Sequence, residues 1–333
     1  VITRRAALTG LIATISAQDL KAQTKNTLFV SSQNSLLHDP GPGWPDRPDR
    51  ISSILNALQA PEFITLSKQE APSAELKCIL RVHTHQLITL LEQATPKTGL
   101  SPLGHDVTLN PYSLSAAIAS AGGAIAATDA VMCGKAHNSF VATRPPGHHA
   151  LANQAMGFCL FNNVAIAAMH ARALYNVERI AIVDFDVHHG NGVQDFFWND
   201  KNTLYASTHQ MPLYPGTGEL NEIGAFNNIV NAPLRRGDSG DQFQDALKSR
   251  ILPRLDLFAP DLIFICAGFD AHIHDPLGGL RLLDEDFRNV TLRIMEIAQR
   301  RCHNRIISLL EGGYAPQDLA RSVSAHIKAL MEA

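Results

Sequence analysis

Short apolar runs rich in β-branched and aromatic residues recur along this chain, each closed by polar residues. Residues 27–30, 140–143, 180–183, 203–207, 261–266 and 305–310 have the length and character of buried strands. Longer stretches with helical spacing lie between them. These are 113–131, Ala-rich and interrupted by Ala121-Gly122-Gly123; 163–174, which Asn162-Asn163 can cap; 241–255; and 284–301. Strands alternating with helices of this length predict an α/β fold with a parallel sheet covered on both faces. No Pro/Ser/Gly-rich linker, charge block or internal repeat divides the chain, so a single domain is expected from residue 27 to residue 333.

The strand runs deliver chemically capable residues just past their C-terminal ends. Arg144-Pro145-Pro146-Gly147-His148-His149 follows one, and Asp184-Phe185-Asp186-Val187-His188-His189-Gly190-Asn191-Gly192 follows another. Ala267-Gly268-Phe269-Asp270-Ala271-His272 and Glu311-Gly312-Gly313-Tyr314 follow two more. In open parallel sheets this edge is where ligands bind. Side chains two apart on a strand share a face, so Asp184, Asp186 and His188 converge on one point if strand geometry persists through them. Acids and histidines at a strand end are costly to bury without a cation, and carboxylate oxygen with imidazole nitrogen is a divalent-metal donor set. An isolated D-x-H reads better as a surface loop; the coincidence of these strand ends is what favours a site.

Composition narrows the function classes. Hydrophobic content of 45% with 18% charged residues over 333 positions supports a substantial core. A formal net charge of −3 leaves no basic footprint, so direct nucleic-acid binding is not expected. Cys78, Cys133, Cys159, Cys266 and Cys302 are scattered and form no C-x-x-C, which argues against a zinc ribbon or a disulfide framework. Cys159 and Cys266 stand in apolar contexts and read as core thiols. No apolar run of about 18 residues stands out, which predicts no transmembrane helix and no membrane partner. Residues 1–26 are a separate question. Thr3-Arg4-Arg5 before the mildly apolar 6–15 reads either as a twin-arginine leader, implying the periplasm, or as an amphipathic helix on a cytoplasmic domain.

The ordered set of motifs resembles the zinc-dependent histone deacetylase family. It comprises Arg144–His149, G-F-C-L-F-N-N at 157–163, Asp184–Gly192, Ser207-Thr208-His209, Y-P-G-T-G at 214–218, G-F-D-A-H at 268–272 and Glu311–Tyr314. Leu36-Leu37-His38-Asp39-Pro40-Gly41 and the segment from Pro45 to Arg50 extend the likeness. Asn191, where class I members carry Asp, makes it similar to the class II and bacterial acetylpolyamine amidohydrolase branch. The resemblance implies an arginase/deacetylase fold with an eight-stranded parallel sheet and one catalytic zinc on Asp186, His188 and Asp270. Three protein ligands leave an open position, as a catalytic zinc site requires. Fe(II) or Co(II) would also suit so oxygen-rich a set.

Further roles are carried over from the same resemblance. His149 matches the base, with His148 beside it. Asp184 matches the carboxylate partner of His148, and Asn191 stands as partner of the second histidine. Tyr314 matches the oxyanion donor, with Gly312-Gly313 letting the backbone swing it in. Gly157 and Phe158 match one wall of a narrow tunnel and Tyr214 the other, commonly Phe. Leu277 stands where polyamine-selective relatives carry Glu. Asp184, Asp186, His188 and Ser207 match a structural K⁺ site. His272 and His274 read as rim histidines near the tunnel mouth rather than ligands of a binuclear manganese centre. That centre would need aspartates where His189-Gly190 and Ala271-His272 stand. Trp44 departs from the pattern on a loop suited to the site entrance or an oligomer contact, so a homo-oligomer is compatible with the sequence. The expected activity is removal of acetyl or short acyl groups from lysine side chains, in a peptide or a small acetylated amine. An acetylpolyamine amidohydrolase and a catalytically silent acyl-lysine binder are the alternatives.

Overall fold

The computed structural model describes residues 26–332, so the double-arginine segment lies outside the described residues. Among the described residues ten strands are found in chain order. They are β1 (Thr27–Ser31), β2 (Ser67–Glu70), β3 (Ser101–Pro102), β4 (Thr108–Leu109), β5 (Asn138–Ala142), β6 (Ile180–Asp184), β7 (Thr203–Gln210), β8 (Ile229–Leu234), β9 (Leu262–Ala267) and β10 (Ile306–Leu310). All but the β3–β4 pair form one eight-stranded sheet in the order β2-β1-β5-β10-β9-β6-β7-β8, every neighbour parallel.

The central strands, β6 and β9 above all, are largely apolar because the sheet is buried there on both faces. Ile180 and Ile182 of β6 pack into one core, and Ala181 and Val183 into the other. β9 divides the same way, with Ile263 and Ile265 on one side and Leu262 and Phe264 on the other. Helices Asp49–Ala57, Asp284–Cys302 and Pro316–Met331 cover the first face. Helices His85–Ala94, Ser113–Met132 and Asn163–Tyr175 cover the second. The edges escaped the sequence reading. β2 is Ser-Lys-Gln-Glu, largely exposed and without an apolar signal, and β8 carries Pro233, which an edge strand tolerates.

Local departures have physical causes. The predicted cap is present, with the Asn162 side chain accepting from Ala165 N–H. The helix expected over 241–255 is broken into Gly240–Ala246, a π turn at Leu247–Ile251 and Leu252–Phe258. The expectation of no membrane-length apolar helix is corrected: Ser113–Met132 is long and apolar enough by composition, and most of it is buried inside the domain. Its Ala, Gly and Ser side chains allow close packing, and a Cβ at Gly122 would lie only 1.8 Å from the Pro72 carbonyl.

The strands that bear the motifs are contiguous. β5, β10, β9 and β6 form the centre of the sheet, so their C-terminal loops meet over its middle.

Candidate active site

Strand geometry ends at Asp184, and the chain bends through Asp186 and His188. The shared-face argument therefore fails beyond that point. Asp184 turns aside to accept from His148 Nδ1 at 3.0 Å, and Asp270 at the end of β9 takes the third place beside Asp186 and His188. Ligand atoms of Asp186, His188 and Asp270 lie within 4.8 Å of one another, all buried. His188 Nδ1 is 3.1 Å from both Asp186 Oδ1 and Asp270 Oδ2. A ring nitrogen can donate one proton, so it cannot satisfy both carboxylates fully; a divalent cation among the three would. Burial raises the Asp270 carboxyl, and Asp186 adds to the effect; against burial, the two acids lift His188 to about 10. The donor set thus fits a metal.

Gly312 allows this convergence. Its N–H donates to Asp186 Oδ2 at 2.7 Å, and a Cβ there would sit 1.9 Å from Asp270 Oδ2. Close approach to the carboxylates, rather than a swing of the backbone, is what the position requires.

The tandem histidines occupy different electrostatic environments. Burial depresses His148, but Asp184, Asp186 and Glu311 overcome it and leave the ring raised to about 10. His149 is held well below its usual value by burial and by the neighbouring His148 and His188 charges. Its Nδ1 lies 2.8 Å from Asn191 Oδ1, while Asn191 Nδ2 points to the His149 carbonyl and Met156 Sδ. That amide orientation makes Oδ1 the acceptor, so Nδ1 carries the proton and Nε2 keeps its lone pair. Glu311 holds the turn from beneath, accepting from the Gly147 and His148 N–H groups at 2.7 and 3.1 Å.

Tyr314 is fixed from several sides. Its N–H donates to Asp275 Oδ2 at 2.6 Å, Arg50 lies 4.8 Å over its ring, and Phe158 meets it edge-on at 5.8 Å. Burial keeps the phenol well above its usual pKa, so it remains a neutral donor. Arg50 is itself buried on Asp46 and the Gly313 carbonyl, 2.5 Å from each.

His149, His188 and Tyr314 open into a cavity of about 260 Å³. Gly157, Phe158, Tyr214 and Leu277 line it too, so the predicted wall residues are brought together. Phe158 has φ +65°, a left-handed conformation uncommon for an aromatic residue, and its N–H is tied to the Asp106 carbonyl at 3.1 Å. Trp44 backs it edge-on at 5.8 Å. Gly157 has φ +57°, and a Cβ there would stand 2.4 Å from His149 Cδ2. Gly157→Ala should therefore displace the His149 ring and lower kcat on the order of 100-fold, with metal content unchanged, by steady-state kinetics and elemental analysis.

Asp106 was missed by sequence reasoning. It stands at the mouth, where its Oδ2 accepts from Tyr214 OH at 2.7 Å and Gly157 N–H at 2.8 Å. A lone Asp in a Gly-His-Asp loop gives no signal that it will face a cleft. Conversely, His272 and His274 do not line the cavity, contrary to the rim expectation. They turn instead toward helix Pro316–Met331, where His274 Nδ1 meets Asp318. Ser207 pairs in register with Asp184, and its hydroxyl lies 2.9 Å from His209 Nδ1. Cys159 and Cys266 are fully buried core thiols, as their contexts predict.

The histone deacetylase domain matches residues 44–330. This chain belongs to the histone deacetylase family. It is 36% identical over 316 residues to a histone deacetylase-like amidohydrolase of Pseudomonas aeruginosa, covering 88% of this chain and 82% of that protein. A probable deacetylase of Archaeoglobus fulgidus is 36% identical over 296 residues, covering 87% of this chain and 81% of that protein. Among solved structures, the HD domain of HDA15 superposes with a TM-score of 0.88 at 32% identity, covering 93% of this chain and 89% of that one. The chain is thus a deacetylase-family hydrolase with the family's single-domain α/β fold.

Proposed function

We propose that this family member is a zinc-dependent amidohydrolase that removes acetyl or short acyl groups from lysine side chains. The observation that carries the reading is the convergence of the Asp186/His188/Asp270 set, an unprotonated His149 nitrogen and a neutral Tyr314 hydroxyl at one cavity. Asp186, His188 and Asp270 would hold the metal, which supplies Lewis acidity toward the acyl carbonyl. His149 accepts a proton from the attacking water at Nε2. The Tyr314 hydroxyl donates to the carbonyl oxygen as it becomes anionic. His148, kept cationic by its acids, works with His149 to return a proton to the leaving amine. These roles match the pattern in which neighbouring groups are pushed to opposite protonation states.

The wall chemistry supports the substrate class. Phe158 and Tyr214 offer aromatic faces to an aliphatic stem, and Leu277 offers no charge to a second amine. Asp106, among the residues lining the cavity, favours a cationic polyamine. Its engagement by Tyr214 and Gly157 opposes that use. A structural K⁺ on the Asp184 side, with Asp186, His188 and Ser207, belongs to the same proposal and is supported by the register of Asp184 with Ser207.

The test compares kcat/KM for an acetyl-lysine peptide and for N-acetylputrescine on metal-analysed protein, with and without a hydroxamate. Hydroxamate-sensitive turnover favouring the peptide is expected. A preference for acetylputrescine would transfer the protein to polyamine hydrolysis, and zinc-loaded protein inert on both and on longer acyl groups would leave a silent binder.

Asn191 sets a pH prediction. A carboxylate in its place favours imidazolium, so Asn191→Asp should raise the His149 pKa. The base form exists only above that pKa, so the acidic limb of kcat/KM should move to higher pH by the same amount. An unmoved limb would mean that His149 is not the group titrating there.

A further inference from the structure

The loop after Asp270 carries two more histidines, outside the cleft. His272 and His274 meet Asp318, in the first turn of helix Pro316–Met331, with one ligand atom from each within 4.8 Å of the others. His274 Nδ1 is 3.0 Å, and His272 Nδ1 3.8 Å, from Asp318 Oδ1. The His272 side chain is 3% exposed and that of His274 is 64% exposed, so the cluster has one buried anchor and one face open to water. His272 Nδ1 accepts the His274 N–H at 3.3 Å, which identifies it as the nitrogen with the lone pair. Its other nitrogen stands 3.6 Å from Asp284 Oδ1, too far for a hydrogen bond.

Acids in the first turns of two helices have an ordinary explanation, because they complement the positive ends of the helix dipoles. That accounts for Asp284 and Asp318. It does not account for two imidazoles, one of them buried, gathered around a single carboxylate oxygen.

We propose that His272, His274 and Asp318 form a second divalent-cation site, separate from the catalytic set. Two imidazoles and one carboxylate suit Zn²⁺, Co²⁺ or Ni²⁺, with water completing the coordination. Arg321 is the competing cation: its guanidinium bonds Asp318 and reaches Asp284 Oδ2 at 3.1 Å. With 53% of its side chain exposed, it can turn to solvent as a metal ion enters. Breaking such an exposed ion pair weakens metal affinity by about two- to fivefold. A bound ion would brace both flanks of Tyr314, since Asp275 adjoins His274 and accepts the Tyr314 N–H, while Asp318 begins the helix that follows.

The test uses zinc-loaded protein whose first equivalent is fixed by elemental analysis, titrated calorimetrically with Ni²⁺ while the zinc content is followed. One further equivalent is expected in the wild type with zinc retained. It should be lost in His274→Ala, an exposed position whose truncation spares the core, and in Asp318→Asn. It should bind two- to fivefold tighter in Arg321→Gln. Asp270→Asn should lose the first equivalent and keep this one, which separates the site from the catalytic reading. Absence of a further equivalent in the wild type, or its retention in both His274→Ala and Asp318→Asn, would overturn the proposal.

Discussion

Replacing Tyr314 with Phe should lower kcat about 10²- to 10³-fold while bound metal stays at the wild-type level. The figure corresponds to about 2.7–4 kcal/mol for one oxyanion donor in a site shielded from water. Only the hydroxyl is removed. The ring keeps its edge contact with Phe158 and the overlying Arg50, and the backbone N–H keeps Asp275. Because burial holds the phenol far above neutrality, no ionised form complicates the comparison. KM should change little, since the donor matters chiefly when the carbonyl oxygen gains charge. Steady-state kinetics beside elemental analysis reads both quantities, and an undiminished kcat would remove Tyr314 from the reaction.

His149→Gln should cost about 10²- to 10⁴-fold in kcat, the range for loss of a positioned base. Glutamine can keep a polar contact with Asn191 but offers no nitrogen that cycles a proton. The wild-type ring is suited to that task by its environment: the Asn191 amide fixes the tautomer, and burial beside His148 and His188 keeps the ring neutral. The residual activity should also lose the acidic limb expected of His149 in kcat/KM. A loss below tenfold, or a limb that persists, would assign the base elsewhere.

Much of this was legible in the sequence. The buried strands were visible because a sheet covered on both faces calls for near-continuous apolar runs. The helix at 163–175 was visible because Asn162 caps it. The donors Asp186, His188, His149 and Tyr314 were marked by strand runs that end in residues too polar for a core. What escaped notice had no local signal. β2 is a polar edge strand held by backbone pairing to β1, and the Asp106 side chain is placed through Tyr214 and Gly157.

The sequence by itself determined the alternation of strands and helices, the single parallel sheet and the chemistry carried at its C-terminal edge. These follow from periodicity and composition, which are properties of neighbouring residues. Tertiary structure decided which polar residues share a point. It ended β6 at Asp184, so that Asp184 serves His148 and Asp270 joins the donor set from another strand, pairings that the family resemblance implied but strand periodicity did not. It turned His272 and His274 away from the cleft to Asp318, 44 residues beyond His274. It also buried a helix long and apolar enough for a membrane against the sheet. Convergence of this kind depends on strand order and loop path, and a side chain's partner across the fold leaves no periodic trace in the chain.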